Sequence, residues 1–189
     1  MKYKEIFRRA VSVITTPGET WDKLSIENQN SKKEDFSFFN VLLALCMVTS
    51  FAGGLLYRQE TIFVSSIVCS IIIGVSFYSG FWAIYYVFAE ILCKHFRIQV
   101  AQSTILRLIT YSMTLSLLLN IFISLLPELF FLKIINIYTL YIVWEGASRF
   151  IQLEENKKSN FVLILSVLII FLPVAINRLL LIIFPIAKI

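Results

Sequence analysis

Two carboxylates sit where an apolar chain can least spare them. Glu90 and Glu145 close long apolar runs, and each has a cation four residues on, Lys94 and Arg149. That is the favourable order for an i,i+4 ion pair on a helix. Either the pairs anchor helix ends at a membrane interface, or Glu90, Glu145 and Arg149 build a polar pocket. Anchoring is preferred, less strongly for Glu145, which lies deeper in its run beside Tyr138 and Tyr141 on one helical face. A second set, Ser112, Ser116, Asn120 and Ser124, recurs every four residues and makes a continuous polar ridge. The preceding run carries small residues in a related pattern, Ser66, Ser70 and Gly74, with Ser76, Gly80 and Ala83 on neighbouring faces. Such patterns serve ordinary helix packing. Packing is therefore preferred over a groove filled with water or headgroups between these two runs.

Other chemistry finds little support. The chain has one histidine, His95, in a basic stretch, and three scattered cysteines without metal-ligand spacing. No Walker A loop, HExxH or GxSxG occurs. We expect no enzyme, metal or cofactor. Lys133 and Arg178 fall near one membrane boundary, where long stems let the charges reach water.

These side chains must be positioned by membrane-spanning helices. Hydrophobic residues make up 58% of the 189, and the mean hydropathy is +0.81. So much apolar surface implies lipid as the main solvent, and an all-α polytopic bundle. Five runs are long enough to cross, at about 36–57, 62–93, 108–126, 129–147 and 161–184. Residues 36–189 then form the transmembrane domain and 1–35 a segment outside it. The net charge of +5 reads as basic loops on anionic headgroups, not nucleic-acid binding.

Lys and Arg set the expected orientation. With the N-terminus inside, thirteen fall on the cytoplasmic side: Lys2, Lys4, Arg8, Arg9, Lys23, Lys32, Lys33, Lys94, Arg97, Arg107, Arg149, Lys157 and Lys158. Four fall outside: Arg58, Lys133, Arg178 and Lys188. This positive-inside bias places the N-terminus in the cytoplasm and the C-terminus outside.

Before the first span, "ITTPGETWDKLS" carries helix-start signals. Thr16 is placed as N-cap, Pro17 at the first helical position and Glu19 three residues after the cap, a capping-box pattern. The helix that follows shows Trp21 and Leu24 on one side. Upstream, Ile6, Phe7, Ala10, Val13 and Ile14 suggest an apolar stripe, with Lys4, Arg8 and Arg9 toward headgroups. These features fit helices in the plane of the interface, with Trp21, Leu24, Arg8 and Arg9 binding the membrane surface or a partner. Docking on the bundle's own inner face fits equally well.

The chain resembles the Yip family (Ypt/Rab-interacting protein domain), in its small prokaryotic branch. The resemblance rests on "TTPGETWDKLS", "LITYSMTLSLLLNIFISLLPELF" and "INIYTLYIVWEGASRFIQLEENKKSNF", the last with Tyr138, Tyr141, Trp144, Gly146, Lys157 and Lys158. It implies a five-span fold with a cytoplasmic N-terminus, in a bacterial inner membrane. "YSMTLS" lacks the Pro that members often carry there, and the DLYGP-type motif tied to GTPase-linked traffic does not occur. The expected function is a non-enzymatic scaffold or adaptor whose partners are membrane lipids, another membrane protein or a second copy. The alternative is transport of a small solute or lipid through a groove between spans two and three.

Overall fold

A computed structural model describes residues 3–26, 32–57, 62–151 and 153–184. Lys2, Arg58 and Lys188, counted above for orientation, lie outside the described residues. All regular structure among the described residues is helical. Two short helices, α1 (Tyr3–Thr15) and α2 (Pro17–Ile26), precede α3 (Lys32–Tyr57). A long second span follows as α4 (Ile62–Tyr86), a π-helical stretch Val87–Leu92 and α5 (Cys93–Phe96). The third span is α6 (Gln102–Ser112) and α7 (Thr114–Leu125). The fourth joins a 3₁₀ segment, Pro127–Tyr138, to α8 (Thr139–Phe150), and α9 (Glu155–Ile183) is the fifth.

Five of these units are long and apolar enough to cross a membrane: Glu34–Tyr57, Phe63–Phe96, Gln102–Leu125, Pro127–Phe150 and Glu155–Ile183. The protein is an integral membrane protein. Several spans exceed the apolar runs because polar residues at their ends still take helical backbone. Glu34 and Asp35, for instance, occupy the first turn of α3, where the helix dipole favours carboxylates.

The third span is the central one, with 67% of its apolar window buried against 22% for the fourth. α3 packs on α4 and α7, α4 on α9, and α8 on α9. The core runs through Phe38, Phe81, Leu108, Tyr111, Met113, Leu117 and Leu165. The 3₁₀ segment turns Phe130, Phe131, Ile134 and Ile137 outward, the sidedness expected of a lipid-facing helix. Within it Leu129 departs from helical angles (φ −83°, ψ 20°), so a kink separates the first turn from the rest of the segment.

Two details answer questions left by the sequence. The second span is continuous, and its π-helical stretch contains Glu90. The third span is irregular at Met113 (φ −76°, ψ −11°) without a proline, between "YS" and "TLS", though Met113 still donates to the Ile109 carbonyl and accepts from the Leu117 N–H. Thr114 Oγ1 there donates to the Thr110 carbonyl at 3.3 Å, a back-bond of the kind that bends helices. In α9, Pro173 packs against Gly80 of α4, where a Cβ would come within 3.0 Å of Pro173 Cγ. A glycine therefore lets α4 and α9 approach.

Candidate functional site

The boundary between α1 and α2 falls at Thr16, as the helix-start signals require, but the capping box does not close. Thr16 turns its hydroxyl back toward Ser12, 3.4 Å from the Ser12 carbonyl. The Thr16 carbonyl accepts from the Thr20 backbone N–H at 3.1 Å and from Thr20 Oγ1 at 2.9 Å. Ser12 and Thr20 hydroxyls also meet at 2.7 Å. The hydroxyls that would cap α2 alone thus bind α1 to α2 as one unit.

That unit is docked on the bundle. Trp21 is 1% exposed, held edge-on between Tyr111 and Phe150 with ring centroids 5.9 and 5.7 Å away. Its Nε1–H donates to the Ile142 carbonyl at 3.0 Å, so the indole's one polar group is satisfied in the core. Gly146 makes the fit possible: a Cβ there would stand 2.9 Å from the indole ring and 2.5 Å from Leu108 Cδ1. Leu24 is buried as well. The expected surface role of Trp21 and Leu24 is therefore corrected. Both side chains are used up in docking α2 onto the bundle, because a matching apolar recess exists between α6 and α8. In α1, Ile6, Ala10 and Val13 of the expected stripe face inward with Ile14 packed beside them, whereas Phe7 leaves it and is exposed, as is Val11.

A buried polar network lies beneath this layer. Arg107 Nε donates to Asp35 Oδ2 at 2.9 Å, and the two side chains are 4% and 2% exposed. Arg107 also donates to the Leu24 carbonyl at 2.5 Å, and the Tyr111 hydroxyl donates to Asp35 Oδ1 at 3.0 Å. Arg9 then donates to Tyr111 Oη at 2.8 Å. α1, α2, α3 and α6 are thereby joined through one ion pair. Arg9 is corrected from a headgroup contact to a member of this network. Arg107 was counted among the cations of the cytoplasmic side, outside the third apolar run, and is a buried residue of α6. Sequence reasoning missed Asp35 as a partner altogether. The available signal was Arg107 and Tyr111, four apart on one face of an otherwise apolar helix.

A further clamp sits beside it. Arg149 reaches Asp22 of α2 with Nε at 2.5 Å from Oδ1, and Glu145 with a second nitrogen at 2.5 Å from Oε2. The expected Glu145–Arg149 pair is thus present and extended to α2. The Arg149 hydrogen bond holds the Asp22 carboxyl below the usual carboxylate range. Glu90 takes no part. It pairs with Lys94 at 2.6 Å on an exposed face, as the preferred i,i+4 reading has it, so the alternative, a joint pocket of Glu90, Glu145 and Arg149, does not form. The two carboxylates end different spans and meet different neighbours.

On its open side the α1–α2 layer carries a polar cavity of about 630 Å³ lined by Glu5, Arg8, Lys23 and Glu34 among others. Arg8 is exposed beside Phe7 and Val11.

The polar ridge of the third span divides in two. Ser112 is fully buried, and its hydroxyl has no hydrogen-bond partner among the described residues. Ser116 Oγ donates to Asn136 Oδ1 of the 3₁₀ segment at 2.8 Å, and Ser124 Oγ to Asn120 Oδ1 at 3.3 Å. Ser116 and Asn120 open onto a cavity of about 400 Å³ at the end of the bundle away from α1 and α2. Its walls come from α4, α7, the 3₁₀ segment and α9. The cavity is thus bordered by four spans, not by the two that the alternative groove reading named. Lys133 and Arg178, expected at a boundary separately, both line it.

The family model described as Yip1 domain matches residues 11–176, from within α1 to within α9. No curated protein and no solved structure matches the chain.

Proposed function

The chain belongs to the Yip1 domain family, and we propose that it acts as a non-enzymatic membrane scaffold or adaptor. The observation that supports this reading is the docking of α1 and α2. The layer is held by the Asp35–Arg107 pair and by Trp21, while its open face presents Phe7, Arg8 and Val11. A short helix pair in water would not hold a fixed surface by itself, since isolated helices of this length are marginal. Fastened to five spans, it offers a preformed apolar and basic face at little ordering cost to a partner membrane protein. The positive-inside count supports a cytoplasmic position for this face.

The test is crosslinking in native cells followed by affinity purification and mass spectrometry. The intact chain is compared with a Phe7→Ser/Arg8→Glu variant, both residues being exposed. A partner captured by the intact chain and lost from the variant, at equal amounts in the membrane, is the expected result. Capture of the same partner by both chains refutes the assignment of this face.

A further inference from the structure

We propose that the cavity at the end of the bundle away from α1 and α2 binds a phospholipid with an anionic headgroup. Six polar side chains converge on it from three elements: Ser116 and Asn120 of α7, Lys133 and Asn136 of the 3₁₀ segment, and Asn177 and Arg178 of α9. The lining contains two cations and no carboxylate. An anion is therefore the complementary ligand.

The cations themselves point the same way. Lys94, Arg107, Arg149 and Lys157 each pair with a carboxylate of this chain. Among the described residues Lys133 and Arg178 have no such pair; Lys23 and Arg97 also have none, but Lys133 and Arg178 are exposed together at one cavity between the spans. A cation at membrane depth is costly unless it finds an opposite charge or water. A headgroup phosphate supplies that charge, and the guanidinium and ammonium groups are suited to its oxygens. Ser116 occupies the Asn136 carbonyl, which leaves the Asn136 NH2 group as a donor for the same ligand.

Depth and wall chemistry select a lipid over free phosphate. Arg178 lies five residues before the end of α9, and Lys133 six after the start of the 3₁₀ segment. At about 1.5 Å per residue Arg178 is roughly 7–8 Å below the end of α9, near headgroup depth, and Lys133 lines the same cavity four residues past a kink at Leu129. Deeper in, Ile73, Phe77 and Ile169 supply an apolar wall beside the hydrogen-bonded Ser116 and Asn136. At its edge Phe171 and Val174 are exposed on the lipid-facing side of α9, so the cavity is reached from the bilayer. An acyl chain can lie along this wall while the phosphate meets Lys133 and Arg178. The inference does not depend on the scaffold reading, which concerns the other end of the molecule.

The experiment uses the full chain purified in a neutral detergent. Thermal unfolding is followed while phosphatidylglycerol, phosphatidylcholine with the same acyl chains, or inorganic phosphate is added. Phosphatidylglycerol is expected to raise Tm saturably, and the other two are not. Lys133→Gln/Arg178→Gln is expected to weaken the apparent affinity about tenfold or more. Asn120→Leu, which fills the cavity and keeps both cations, should weaken it too. Lys157→Gln/Lys158→Gln, an equal charge change at the opposite end, should leave it unaltered. Equal effects of the two lipids, or full affinity in the Lys133/Arg178 variant, overturn the proposal. Saturation by inorganic phosphate alone would make this a free-anion site and overturn the lipid assignment. A photoreactive phosphatidylglycerol provides a readout on the unaltered chain: adducts on the 3₁₀ segment and α9 support the site, and adducts confined to α1 and α2 refute it.

Discussion

Replacing Arg107 by Met tests whether the buried ion pair fastens the α1–α2 layer to the spans. The change removes the donor to Asp35 Oδ2 at 2.9 Å and to the Leu24 carbonyl at 2.5 Å. It leaves the Asp35 carboxylate 2% exposed, with the Tyr111 hydroxyl still donating to Oδ1. Unit charges about 4 Å apart attract by about 4 kcal/mol at an effective dielectric constant of about 20. Desolvation offsets much of that while both partners are present. With one removed, the other keeps its desolvation penalty and loses the attraction, and the usual cost is about 3–5 kcal/mol. Asp35→Leu likewise takes the carboxylate from the buried Arg107, which keeps the Leu24 carbonyl. The double variant Asp35→Leu/Arg107→Met replaces both charges by apolar groups and should be markedly less destabilised than the two single costs added together. Thermal unfolding of the four proteins in detergent gives the cycle. Hydrogen exchange along α1 and α2 locates the effect. Single variants as stable as the parent, or a double variant that shows the full additive loss, would refute the reasoning, since neither fits a coupled buried pair.

Two further outcomes follow from the same interface. Gly146→Ala should cost about 1–3 kcal/mol, as overpacking does, because its Cβ would meet Leu108 Cδ1 at 2.5 Å and the Trp21 ring at 2.9 Å. Trp21 emission, read in a background with Trp82 and Trp144 replaced by Phe, should shift to the red as the indole is displaced; unchanged emission and stability would count against the fit. For Asp22, the folded-state pKa is lowered by the Arg149 hydrogen bond. Its contribution to docking is therefore present above the unfolded-state value of about 3.9 and is lost as pH falls through the lower folded value. Hydrogen exchange of α2 followed down in pH should show opening below the ordinary carboxylate range, and Asp22→Asn should remove that dependence.

Much of the fold was legible because it rests on local properties. Apolar run length alone gives five crossings, since a helix must be apolar for about 30 Å to lie in hydrocarbon. Glu145 and Arg149 form their pair because i,i+4 neighbours share a helix face wherever that helix goes. Pro17 marks the start of α2 because its ring sets the backbone angle locally.

The site depended on how the helices are rotated and stacked, which no local pattern contains. Trp21 and Leu24 have the same spacing whether they face lipid or protein; only the recess beside Gly146 turns them inward. Arg107 and Asp35 are separated by 72 positions and meet because α6 packs on α3. Lys133 and Arg178 each look like boundary residues in their own run, and only the packing of four spans brings them to one cavity. Glu90 and Glu145, alike in sequence setting, part company because Glu145 lies under α2 and Glu90 does not. Composition and periodicity thus determined that the chain spans a membrane and where its helices run. Tertiary structure decided which charges are buried together and which remain available, because a charge pair depends on distance in space, and distance between remote residues is fixed only by packing.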